Sequence, residues 1–166
     1  RIRDPLGRDV GRGGGGGGGG SGDFLPAHTD ADVASLVKAT GINFVRLYIS
    51  WRAVEPTPGT YDTDYLDGVV KHVERWNAHG VYVLVDMHQD LWGGPFTSNG
   101  APDWATLGKA GARTAIPAGL PWQARYAEPA VWGSFEALWS NRRVPATGKG
   151  LQDHYAAAWA AVASRL

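Results

Sequence analysis

The chain of 166 residues contains no cysteine. That single absence excludes thiol catalysis, disulfide staples and cysteine-ligated zinc, and leaves the redox compartment undetermined. Nor is there an excess of one charge: 16 basic and 16 acidic side chains cancel. A nucleic-acid partner is therefore not expected, because such binders carry a basic face. No apolar run approaches the ~18 residues of a membrane span, and no basic-then-apolar export signal opens the chain. Charged residues are sparse at 19%, against about a quarter in an ordinary domain. What is abundant is apolar and aromatic. Hydrophobic residues reach 43%, with 8 tryptophans and 24 glycines, enough for one sizeable core rather than a disordered chain.

The chain divides into two stretches. Residues 1–22 hold an unbroken glycine run at 13–20, with no side chains to bury, as in a flexible linker. Residues 23–166 have globular composition. The chain opens on Arg1 without methionine, and its Ala-rich helical pattern at 155–166 has no Gly or Pro stop signal. Both ends read as breaks in a longer protein, so a fragment is expected.

Within 23–166, periodicity gives an alternation. Thr29, with Asp32 three residues on, can cap a helix through Val33, Leu36 and Val37, and Gly41 is placed to end it. Residues 43–49 are rich in β-branched and aromatic side chains and read as a strand. A turn at 57–60 leads into a helical stripe of Tyr65, Leu66, Val69, Val70, Val73 and Trp76, closed by Gly80. Residues 81–85 are continuously apolar, as in a strand buried on both faces. A Gly/Pro/Trp-rich stretch without period runs from 88 to about 128, and helices follow near 130–139 and 151–166. Strand, helix, strand, long loop and helix together predict an α/β fold with parallel strands.

In such folds chemistry sits beyond the carboxyl ends of the strands. Ser50, Trp51, Arg52 and Glu55 follow the first strand; Asp86, His88, Gln89, Asp90 and Trp92 follow the second. Residues 86, 88 and 90 would share one side if extension continued, bringing two carboxylates and an imidazole together. That trio reads as a polar floor orienting a ligand by charge-assisted hydrogen bonds, as a metal-ligating group, or as a strand-end network. The other four histidines lack ligand spacing, so no metal and no cofactor is expected. Arg46, inside an apolar strand, needs a carboxylate partner. It either supports an active-site acid or pairs structurally with Asp86 or another internal acid. Trp76 and Trp159 lie on helical stripes and read as core, whereas Trp51, Trp92, Trp104, Trp122, Trp132 and Trp139 include candidates for a cleft. Glu55, Glu74, Glu128 and Glu136 are accounted for by a turn, a helix start and solvated helix faces.

The run Gly41-Ile42-Asn43-Phe44-Val45-Arg46-Leu47, with Trp51, Glu55-Pro56 and Tyr61-Asp62, resembles glycoside hydrolase family 5 of the cellulase-like clan. Val83-Leu84-Val85-Asp86-Met87-His88-Gln89-Asp90, followed by Gly100-Ala101-Pro102-Asp103-Trp104, is similar to its endoglycoceramidase branch, as are Ala130-Val131, Ser134-Phe135 and Leu138-Trp139. The resemblance covers 24–166. It implies the N-terminal part of a (β/α)8 TIM barrel, incomplete here, and a retaining glycosidase that uses two glutamates. The family's Asn-Glu-Pro acid/base motif is absent and would fall after Leu166, as would the nucleophile, so no catalytic residue is expected in this chain and the fragment alone would be inactive. Carried over residue by residue, His88 and Asp90 match residues holding the sugar beside the cleaved bond, Trp139 a sugar-contacting tryptophan, and Arg46 the arginine that supports the nucleophile. Asp4-Pro5-Leu6-Gly7-Arg8 matches the family's opening, but the glycine run replaces its first strand, leaving either a damaged strand or foreign sequence.

The resemblance thus implies a carbohydrate or glycolipid substrate with cleavage of the glycan–ceramide bond, export from the cell, and a monomer when complete. Alternatives are a cellulase- or mannanase-type polysaccharide endoglycosidase, a carbohydrate-binding fragment stacking sugars on Trp92, Trp104 and Trp139, and, last, a metal-dependent hydrolase. A third of a barrel leaves sheet edges open, so the isolated chain is expected to be unstable or to aggregate.

Overall fold

A computed structural model describes residues 24–97, 99–107 and 121–166. The glycine run and the region of the replaced first strand lie outside the described residues. Helix α1 (Asp30–Thr40) starts at a capping box: the Asp32 backbone N–H donates to the Thr29 hydroxyl, and the Thr29 N–H donates to the Asp32 carboxylate. It ends on Gly41 at φ 68°, a left-handed position that glycine takes without steric cost. Strand β1 (Phe44–Ile49) and strand β2 (Tyr82–Met87) pair in parallel, with Phe44 opposite Tyr82 and Ile49 opposite Met87. Between them lie the short helix α2 (Trp51–Val54) and helix α3 (Thr63–Asn77), the latter capped by Asp62, whose carboxylate accepts from the Tyr65 N–H. Helices α4 (Pro129–Trp139) and α5 (Leu151–Ala163) complete the order.

Alternation along the strands decides where the core sits. Val45, Leu47, Ile49, Val83, Val85 and Met87 share one face and pack under the helices, in clusters with Val54, Tyr65, Val69, Val131, Leu151 and Val162. Full burial of each such side chain contributes about 1.5–3 kcal/mol. The opposite face carries Phe44, Arg46, Tyr48, Tyr82, Leu84 and Asp86, and no described element covers it; Tyr82 is 75% exposed. This corrects the expectation of a strand buried on both faces. An apolar run reports that a residue suits a buried surface, not that the covering layer is present.

The remaining differences are local. The last helix ends at Ala163 rather than running to 166, with Ser164 as its C-cap. The stretch without period contains two 3-10 helices, Asp103–Ala105 and Trp122–Ala127, too short to show a repeat. Glu128 N-caps α4 while its side chain takes a 2.7 Å hydrogen bond from Arg125.

Where α1 meets α3, His28 packs edge-on to His72 and Trp76, at 5.0 and 5.4 Å between ring centres. Arg75 donates to the His28 carbonyl at 2.9 Å, lies 3.2 Å from His72 Nδ1, and pairs with Asp30. Burial, then the Arg75 charge, lowers the His28 pKa; burial, then His28 and Arg75, lowers that of His72 to about 4. Both rings are therefore neutral near pH 7.

Candidate functional site

The carboxyl ends of β1 and β2 lie side by side, and the parallel register places Arg46, Tyr48, Asp86 and His88 around one point. Arg46 Nε donates to Asp86 Oδ2 at 3.0 Å, and Nη2 forms an ion pair with the same oxygen at 3.0 Å. His88 Nδ1 lies 3.1 Å from that same oxygen and 3.3 Å from Arg46 Nη2. His88 Nε2 lies 3.4 Å from Asp90 Oδ2. The expected convergence of residues 86, 88 and 90 is therefore present, and Arg46 takes Asp86 as its partner. The Tyr48 ring stacks on the imidazole at 4.3 Å and 6°, and the Arg46 guanidinium lies 4.5 Å from the centre of that ring. The side chains of Asp86, His88 and Asp90 are about one quarter to one third exposed, so the cluster is ordered yet open to a ligand.

The loop after β2 is tightly built. Leu91 and Trp92 are buried, and both are left-handed, at φ 49° and 80°. Such positions cost on the order of 1–3 kcal/mol each and persist only where the surroundings enforce them. Here the Leu91 N–H donates to the Tyr126 hydroxyl, the Trp92 N–H to Gln89 Oε1, and the Trp92 indole to the Thr106 hydroxyl. Gly100, at φ 91°, passes so close that a Cβ would sit 2.4 Å from the Trp92 carbonyl oxygen. Thr97 and Asn99 hold the backbone and the carboxylate of Asp90.

Of the proposed binding residues, Arg46, His88 and Asp90 come together. Trp139 stands at the end of α4, 74% exposed, without a hydrogen bond or ring contact to them among the described residues. Trp122 and Trp132 are likewise exposed. Trp51 and Trp92 are core instead: both are buried, and Trp51 meets Trp92, Trp104 and Tyr155 edge-on. Trp76 is buried as expected, and Trp159 packs against the core.

Reading Glu55 as a simple turn residue missed a second cluster. Glu55 is fully buried. Its Oε1 accepts from the Gly59 N–H at 2.7 Å and lies 2.6 Å from His154 Nδ1; its Oε2 accepts from the Trp51 indole at 2.9 Å. His154 Nε2 meets the Thr147 hydroxyl at 2.7 Å, and Trp104 donates to the Glu55 carbonyl. One signal was available: His154 lies on the apolar stripe Leu151, Ala158 and Val162 of α5, and a histidine on such a stripe requires a buried partner.

Chemically, the strand-end cluster has the groups to bind and orient a polar ligand. It presents carboxylate acceptors suited to hydroxyl donors, and none of the four glutamates touches it. Among the described residues, no three His, Asp or Glu side chains are arranged to hold a metal ion, and no helix is long and apolar enough to cross a membrane.

Comparison with known proteins supplies the class. Residues 16–166 match the model of the family described as Cellulase (glycosyl hydrolase family 5). The chain belongs to glycosyl hydrolase family 5, and its two strands and their helices are part of that family's TIM barrel. Within it, the chain is 33% identical to endoglycoceramidase I of Rhodococcus hoagii over 170 residues, covering 98% of this chain and 32% of that protein. The solved structure of endo-glycoceramidase II from a Rhodococcus species, in complex with a five-membered iminocyclitol, superposes at TM-score 0.72 with 43% identity, over 84% of this chain and 31% of the other. An endogalactoceramidase structure follows at TM-score 0.69 and 31% identity, over 87% and 33%. The chain thus spans about a third of the length of each of these three relatives.

Proposed function

We propose that this chain forms the sugar-holding part of a retaining glycosidase that cleaves the glycan–ceramide bond of glycolipids. The observation that carries the reading is the Arg46–Asp86–His88–Asp90 cluster, open at the carboxyl ends of two adjacent barrel strands, where the chemistry of such barrels takes place. His88 and Asp90 hold the sugar beside the scissile bond, Trp139 offers an exposed ring for a sugar face, and Arg46, paired with Asp86, supports the nucleophile. The acid/base and the nucleophile are two glutamates outside these 166 residues, working on either side of the bond. The printed names of the relatives, endoglycoceramidases and an endogalactoceramidase, support a glycolipid substrate. An exported, monomeric enzyme fits lipids displayed on outer membrane surfaces.

The test is to express the complete polypeptide and incubate it with lactosylceramide and, separately, with carboxymethyl cellulose. Release of intact lactose with retained anomeric configuration, seen by NMR, supports the reading; cleavage of the polymer alone replaces it with a polysaccharide endoglycosidase. Asp90→Ala is expected to lower kcat/KM on the glycolipid by about a hundredfold, with the lost contact to the bound sugar.

A further inference from the structure

Asp90 is held by a side chain from the far end of its own loop. The Asp90 backbone N–H donates to Asn99 Oδ1 at 3.1 Å, and Asn99 Nδ2 donates to Asp90 Oδ2 at 2.9 Å. A backbone N–H can only donate, so the Asn99 oxygen must face it and the amide NH2 must face the carboxylate. The Thr97 hydroxyl, 2.8 Å from Asn99 Oδ1 and 3.0 Å from the Asp90 carbonyl oxygen, fits the same orientation. The carboxylate oxygen that Asn99 holds is also the one facing His88 Nε2 at 3.4 Å. Among the described residues, Asp90 Oδ1 has no protein partner. Immediately afterwards the chain takes its two left-handed residues, Leu91 and Trp92. The carboxylate therefore sits between a strained backbone and an amide whose direction is fixed.

We infer that Asn99 is a positioning residue of the sugar-holding cluster, acting through Asp90. Its amide turns Oδ2 toward His88 and leaves Oδ1 as the acceptor for a substrate hydroxyl. Without that bond the carboxylate is free to rotate, and the order lost must be restored at each binding event. The inference rests on the glycan-binding reading given above.

Titration calorimetry of the complete polypeptide with lactose separates the two. Asn99→Ala and Asp90→Ala are each expected to weaken lactose binding by about tenfold, the scale of one lost hydrogen bond to a charged group. The double variant is expected to bind no more weakly than Asp90→Ala alone, because the effect of Asn99 passes through Asp90. Asn99→Asp keeps the oxygen that accepts from the Asp90 N–H and replaces the donor with a carboxylate oxygen that faces, and repels, Asp90 Oδ2. It should lose at least as much affinity with the loop intact. Additive losses, or an Asn99→Asp variant that binds like the wild type, overturn the inference while leaving the functional reading standing. A wild-type protein that binds no lactose overturns the functional reading, and with it the inference.

Discussion

Two clusters in this molecule are built from the same groups, an imidazole against carboxylate, and differ in enclosure. At Glu55–His154 the side chains are 0% and 2% exposed, and both imidazole nitrogens and both carboxylate oxygens have protein partners. At Asp86–His88–Asp90 the side chains are about a quarter to a third exposed. Among the described residues, the contacts of each aspartate gather on one carboxylate oxygen, Oδ2. A saturated, dry pair has nothing to offer a ligand; a partly satisfied, wet one does. The residue types alone do not separate the two roles, and the count of unfilled hydrogen-bonding positions does.

The comparison breaks most readily at the closed cluster. Glu55→Ala leaves His154, the Trp51 indole and the Gly59 N–H facing an apolar void, and is expected to cost about 3–5 kcal/mol of folding free energy, read from the urea midpoint. Pairing it with His154→Leu should recover part of that loss. The opposite pattern is expected at the open cluster. Asp90→Ala should change stability by less than about 1 kcal/mol while abolishing most lactose affinity; a large stability loss would make that cluster structural as well. Between the two lies Gly100→Ala, which forces a Cβ into the Trp92 carbonyl and should cost about 1–3 kcal/mol by distorting the loop that carries Asp90.

The smallest effect sharpens the comparison with a third pair. His28 and His72 have folded-state pKa values below that of a free histidine, His72 at about 4. The unfolded chain therefore takes up the proton first, near pH 6.5. The stability held by these neutral rings is complete above that value and is lost as the pH falls from about 6.5 toward 4. Allowing for the solvent that reaches the pair, the loss should be about 1–2 kcal/mol. Thermal melts at pH 7 and 4.5 should differ less in His72→Gln than in the wild type.

Much of this was legible in the sequence, for identifiable reasons. The Thr29–Asp32 cap, the Gly41 stop, both strands and the α3 stripe follow from local chemistry that needs no partner to be recognised. So did the convergence of Asp86, His88 and Asp90, which period-two geometry places on one side. Glu55 escaped because its partner is 99 positions away and no local pattern links them. The bonds between Asn99 and Asp90 escaped because they close a loop across nine positions, and no local pattern marks them. The exposed face of β2 was misread because apolar content records what a strand is suited to touch, not which elements are there to touch it.

The separation of Glu55 from His154 also sets a clock. Loop closure itself is mild in free energy, about 0.6 kcal/mol for each doubling of length. Time is the stricter constraint. At about 5–20 residues per second of synthesis, the 99 positions between the two partners take about 5–20 s to make. For that interval Glu55 has no imidazole to meet and keeps its water, and the turn that follows β1 stays unsealed. The carboxylate dries only when α5 docks, so this buried contact forms well after the strand and turn that carry Glu55 have been made.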